Sequence, residues 1–114
     1  MPQQGLHQRA CELTVDGIAG VLVITVNGEL DAEHTADLAR CLDQAKRGRR
    51  RILVDLSGVR FMDSAGLDVL VVAQAALGSR LELVVPPDSS VARLLKLTGS
   101  HTNFTVHASY AAAL

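Results

Sequence analysis

The stretch "RILVDLSGVRFMDSAGLDVLVVAQAAL", residues 51–77, changes its hydrophobic period half-way along, and that change decides the fold. "RILVDL" is an apolar run of strand length. "SAGLDVLVVAQAAL" is apolar nearly all round. "VLVV" alone would suit a strand, but the length, the Ala-rich tail and Gly78 as terminator favour a helix. At the junction a hydroxyl, Ser64, stands beside a carboxylate, Asp63. A serine there serves as a nucleophile, a phosphate binder, a phosphate acceptor or a helix cap, and each role makes a different protein.

Upstream, "CELTVD" alternates Cys11, Leu13 and Val15 with polar residues, the period of a half-buried edge strand. "GIAG" turns the chain into "VLVITVNG", whose β-branched residues 21–26 read as a strand covered on both faces. From Ala32 the period becomes helical: Leu38, Cys41, Leu42 and Ala45 form one stripe, with Asp37, Arg40, Asp43 and Lys46 facing away. Downstream, "LELVV" is a strand stopped by Pro86 and Pro87. Residues 88–90 cap the helix "VARLLKLTG", with Val91, Leu94, Leu95 and Thr98 on its stripe and Gly99 at its end. "NFTVH" is a short last strand and "ASYAAAL" a final helical turn or two. Strands alternating with helices imply an α/β domain whose sheet is largely parallel, with one antiparallel edge from the opening hairpin.

At 114 residues the chain is one domain that buries a sufficient core without staples. Residues 1–9, polar with a Pro and a Gly, are expected to be flexible. Hydrophobic residues make 48% of the chain and aromatics only 3%, so the core is aliphatic. Cys11 and Cys41 read as reduced thiols packed like small hydrophobes, in a cytoplasmic protein. The apolar run 65–77 is shorter than the ~20 residues a membrane span needs and is broken by Asp68, so no membrane insertion is expected. A net charge of −1 argues against a nucleic-acid binder. One run departs from this neutrality: "KRGRRR", residues 46–51, where a helix should end. Gly48 offers a left-handed cap there and the cations oppose the helix's negative end; a contact with an acidic partner or an anion is the other use.

For Ser64, catalysis is the weakest role. The nucleophile elbow G-x-S-x-G would place Gly where Met62 stands, and His101 and His107 follow with no suitably placed acid. The four histidines are too scattered for a metal site, and no phosphate-cradling glycine loop occurs, so neither metal nor nucleotide cofactor is expected. Helix capping by Ser64 or Asp63 is worth about 0.5–2 kcal/mol. It leaves unexplained why so apolar a helix starts on "AG".

The quoted stretch, with "GELDAEHTADL" (28–38) and "VARLLKLTG" (91–99), resembles the STAS domains of the bacterial anti-sigma factor antagonist family over roughly residues 11–110. The resemblance implies a single STAS domain over residues 10–114. Its sheet would have about five mostly parallel strands and an N-terminal antiparallel hairpin edge, flanked by three to four helices. It further implies a protein with no catalytic activity of its own, which when unphosphorylated binds an ATP-dependent anti-sigma serine kinase and frees a sigma factor for transcription; a serine phosphatase would reactivate it. Carried onto this chain, Ser64 is the phosphate acceptor, Asp63 and Gly66 shape its loop around Ala65, and Asp31 lies in the same partner-binding surface. Met62 and Leu67 are added as apolar contacts. A phosphate on Ser64 would be held by the helix N-terminus in the free protein and would be repelled by Asp63 and Asp68 within a complex. The chain departs from the family where Ser79 follows Gly78 and where Ser100, His101 and Thr102 follow Gly99. A STAS accessory subunit of a phospholipid or anion transport complex is the alternative, and a small serine hydrolase a more distant one; the intact Asp-Ser-x-Gly-Leu favours the switch.

Overall fold

The structure is a computed structural model that describes residues 11–114; the expected flexible segment 1–9 lies outside the described residues. Strands and helices alternate: β1 (Cys11–Ile18), β2 (Val21–Leu30), α1 (Ala36–Ala45), β3 (Arg51–Met62), α2 (Ser64–Leu77), β4 (Leu81–Val84), α3 (Ser90–Leu97), β5 (Thr105–His107) and α4 (Tyr110–Ala113). The strands lie in chain order, β1 antiparallel to β2 and every later neighbour parallel. This is the expected α/β architecture, a mixed five-stranded sheet with four helices. The hairpin turn is narrower than "GIAG": only Ala19 and Gly20 stand between the strands, with φ of 53° and 80°. Two consecutive positive φ values are what a two-residue I′ turn requires.

Chain-order winding fixes where the helices go. Right-handed crossovers that always step the same way across a sheet leave their helices on one face. Accordingly Leu38 and Leu42 of α1, Leu67 and Leu70 of α2, and Val91 and Leu95 of α3 share one core with Ile24, Val26, Val54, Leu56 and Leu83. The opposite face buries Val21, Val23, Leu53 and Val84 under Ala113, with Tyr110 packed against them. The run 21–26 is therefore covered on both faces, as expected, but unequally.

Several local expectations are corrected. Val15 keeps the alternation yet is 46% exposed, because β1 is the edge strand and only its first residues, Cys11 and Leu13, pack against the helix-covered core. The helix expected from Ala32 begins at Ala36, since residues 32–34 form a turn. Gly48 is not in the left-handed region. Instead α1 ends on Lys46, and Arg80 closes the end from a distance, its Nη2 donating to the Ala45 carbonyl at 2.9 Å. On α3 it is Ala92 rather than Thr98 that is buried, and Ser89 is the cap, accepting from the Ala92 N–H at 3.1 Å. Gly99 ends α3 with φ 73°, and Ser100, where the family pattern departs, is buried with its hydroxyl 2.8 Å from that of Thr98.

The largest correction concerns the two central strands. β2 runs on through "NGEL" and β3 through "SGVRFM". The register slips twice, once between Thr25 and Asn27 and once between Gly28 and Glu29, so β3 carries an extra residue at each place. Bulges of this kind break the two-residue alternation. Leu56, Val59 and Met62 thus all face the helices although three residues apart. A strand read by alternation stops at Leu56 for that reason.

Candidate functional site

The bulged extension of β2 and β3 delivers two acidic loops side by side. Leu30 pairs with Met62 at the C-terminal ends of these parallel strands, so Asp31 and Asp63 are the next residue on each. The Asp63 N–H donates to the Leu30 carbonyl at 3.4 Å, which locks the two loops together. Beneath them the first turn of α2 lies hard on β2. A Cβ on Gly66 would collide with the Leu30 carbonyl oxygen and lie 2.9 Å from Met62 Cγ. Glycine is required there by close approach, which explains the weak helix former that capping left unexplained.

Asp63 takes the cap. Its Oδ1 accepts from the N–H groups of Ala65 at 2.9 Å and Gly66 at 3.2 Å. Ser64, the first residue of α2, is exposed, and among the described residues its hydroxyl has no hydrogen-bond partner. In the unphosphorylated chain Asp63 occupies these two amides, so a phosphate on Ser64 would have to compete with its carboxylate for them. Asp31 is also organised: its Oδ1 accepts from the Glu33 N–H at 3.1 Å and lies 2.6 Å from His34 Nδ1, which carries the proton beside a carboxylate. The pairing of His34 was missed because histidine three residues after aspartate in a turn has no periodic signature.

Asp31 and His34 make an acid–imidazole pair, but Ser64 Oγ makes no hydrogen bond to the ring. A nucleophilic serine needs that contact. Close by, Cys11 and Cys41 are half-buried free thiols. Burial pushes both upward from the ordinary 9.0; Asp37 and then Asp31 add to the rise at Cys11, while at Cys41 Asp37 adds and Arg40 opposes.

Asp31, Asp63, Ser64 and Ala65 therefore reach the surface at one end of the sheet, whereas Gly66, Met62 and Leu67 lie beneath it. Met62 is 5% and Leu67 7% exposed, so both pack into the core rather than offering apolar contacts. The apolar side chain on the surface here is Phe61, 48% exposed, three residues before Ser64. It was missed because the bulge at Arg60 turns it outward.

The profile of the family described as "Mlab, STAS domain" matches residues 11–106. The chain belongs to the STAS domain family. Within it, this STAS domain is 43% identical over 54 residues to the "Anti-sigma F factor antagonist" of Paenibacillus polymyxa, an alignment spanning 45% of each chain. Its structure superposes on an anti-sigma factor antagonist from Mycobacterium paratuberculosis with a TM-score of 0.79 and 25% identity, covering 88% of this chain and 87% of that one. The Bacillus cell fate determinant SpoIIAA in its phosphorylated form shares the fold at a TM-score of 0.67 and 18% identity, covering 90% and 96% of the two chains. No helix among the described residues is long and apolar enough to cross a membrane.

Proposed function

We propose that this STAS domain is an anti-sigma factor antagonist of the bacterial cytoplasm, switched by phosphorylation of Ser64. Unphosphorylated, it binds an anti-sigma serine kinase and so frees a sigma factor; phosphorylated by that kinase, it lets go, and a serine phosphatase restores it. The supporting observation is Ser64 itself. Asp63 has taken over the cap, so the Ser64 hydroxyl is exposed and structurally idle, one residue after Asp63, which stands beside the Asp31 loop. The names borne by the Paenibacillus and Mycobacterium relatives support the same role. Asp31, Asp63 and Ser64 would form the polar part of the contact surface and Ala65 and Phe61 its apolar part, supported from beneath by Met62, Gly66 and Leu67.

Phosphate on Ser64 brings about −1.5 to −2 charges. With the Ala65 and Gly66 amides already engaged by Asp63, those charges stay at the surface, where a partner would have to desolvate them against neighbouring carboxylates. Penalties of that kind reach several kcal/mol, and each 1.4 kcal/mol is about tenfold in affinity.

Peptide mapping after incubation with an anti-sigma serine kinase and ATP is expected to find phosphate on Ser64, with none on Ser57, Ser89 or Thr35. In calorimetry against the same kinase, Ser64→Ala binds like wild type, whereas Ser64→Asp folds but binds at least tenfold more weakly. Equal affinity of the two variants would place residue 64 outside the interface and reduce the site to a capped helix. Retention instead by a transport ATPase would favour the accessory-subunit role.

A further inference from the structure

The strands that carry Ser64 at one end carry a cluster of arginines at the other. β2 and β3 are parallel, so residues 46–50, which lead into β3, lie opposite the loops that follow Leu30 and Met62. Of the cations in this run, Lys46 pairs with Asp43 at 2.8 Å and Arg51 with Glu82 at 2.8 Å. Arg47, Arg49 and Arg50 are exposed and have no carboxylate partner among the described residues. Arg80 keeps its charge here too, and it fixes the loop by donating from Nε to the Arg50 carbonyl at 3.0 Å and from Nη2 to that of Ala45. Asp16, two residues before Ile18, subtracts from this charge.

The cluster is continuous with the tip of the β1–β2 hairpin. A Cβ on Gly17 would meet Arg50 Nη2 at 2.5 Å, so this guanidinium lies against the strand, and Ile18 beside it is 40% exposed. Guanidiniums flanking an exposed aliphatic tip suit a lipid boundary, which offers phosphates to the first and apolar depth to the second. A purely acidic peptide would answer the charges and leave Ile18 in water. The two ends also differ in sign, for Asp31, Glu33 and Asp37 follow β2, and Asp63 and Asp68 follow β3, at the Ser64 end. The ten residues of β2 set these ends about 30 Å apart. That is nearly four Debye lengths of about 8 Å at physiological salt, so a negatively charged plane would attract one end without feeling the other.

We propose that the arginine end docks on an anionic phospholipid surface, holding the domain upright with Ser64 turned toward solvent. Docking and the Ser64 switch would then be compatible, because they use opposite ends of the same two strands.

Cosedimentation of the full chain with vesicles tests it. The chain is expected to bind phosphatidylglycerol–phosphatidylcholine vesicles and not phosphatidylcholine alone. Each arginine is worth about fivefold near such a surface, so the triple variant Arg47→Gln, Arg49→Gln, Arg50→Gln should bind about 100-fold more weakly. Binding should vanish near 1 M salt, where the Debye length is about 3 Å. If circular dichroism finds the triple variant unfolded, Arg49→Gln alone, with its fivefold loss, carries the test. Absence of binding to the anionic vesicles, or equal binding by a folded triple variant, overturns the proposal. So does binding to poly-glutamate without binding to vesicles, which would assign the arginines to an acidic protein, or complete competition by millimolar inorganic phosphate, which would assign them to the free anion.

Discussion

The two faces of the sheet are made from the same strands and closed to different degrees. One carries α1, α2 and α3 over a continuous aliphatic core. Among the described residues the other carries only the four residues of α4 over Val21, Val23, Leu53 and Val84. Beyond that small cover, β3, β4 and β5 carry paired charges on the second face. Arg51 donates to both oxygens of Glu82 at 2.8 Å and to the Ala113 carbonyl at 3.3 Å, and His107 Nε2 lies 2.7 Å from Glu82 Oε1. A sheet wound in one direction spends its helices on one side. The other side is then finished with paired charges, and these also tie down the cover.

Paired core truncations should give the largest effect and the sharpest contrast. Leu70 and Leu53 are both 0% exposed, one on each face. Leu70→Ala should cost in the upper half of about 2–5 kcal/mol by urea denaturation. Leu53→Ala should fall near 2, since a four-residue helix can settle into the space. Equal losses would mean that α4 seals its face as rigidly as three helices seal theirs.

Next comes Gly66→Ala. In an open helix this change would stabilise by about 1 kcal/mol. Here the new methyl meets the Leu30 carbonyl, so a loss of about 1–3 kcal/mol is expected, together with movement of the Asp31 loop seen in amide chemical shifts. A gain in stability would show that α2 does not bear on β2 as described.

A smaller, pH-dependent effect belongs to the second face. Hydrogen bonds from Arg51 chiefly, and from His107, hold the Glu82 carboxyl below its ordinary 4.5 against partial burial that raises it. A lowered folded value means stability that is present above pH 4.5 and lost as pH falls through Glu82's own value. The melting temperature of wild type should therefore exceed that of Glu82→Gln at neutral pH and converge on it in acid. A constant gap across that range would remove Glu82 from the linkage.

The smallest effect is chemical rather than energetic. Cys11 and Cys41, both pushed above 9.0 mainly by burial, should react slowly with a thiol reagent at neutral pH, and faster after denaturation. Fast labelling of the folded chain would place them outside the packed edge of the helix-covered face.

Where the hydrophobic period was unbroken, the elements were legible. The stripe of α1, the all-round apolar α2 and the Gly99 stop each follow from residues within a turn or two of one another. The site was legible only in part. Asp63 and Ser64 stood out as a strand-to-helix junction, but which of them caps is settled by how the chain enters α2 from the Leu30–Met62 pair. Met62 turned inward and Phe61 outward because two bulges in β3 reset which of its side chains face the helices, while Leu67 is buried on the face of α2 that packs on the sheet.

The sequence by itself determined the alternation of strands and helices, the aliphatic core and the chemistry gathered at Ser64, since each depends on local periodicity and residue type. Only the tertiary structure decided that β2 and β3 run on past their alternation, that Asp31 stands beside Asp63, that Gly66 lies beneath both, and that the arginines gather about 30 Å away at the other end. These depend on register between strands distant in the chain, where a single inserted residue exchanges inside for outside and leaves no trace in the pattern of either strand alone.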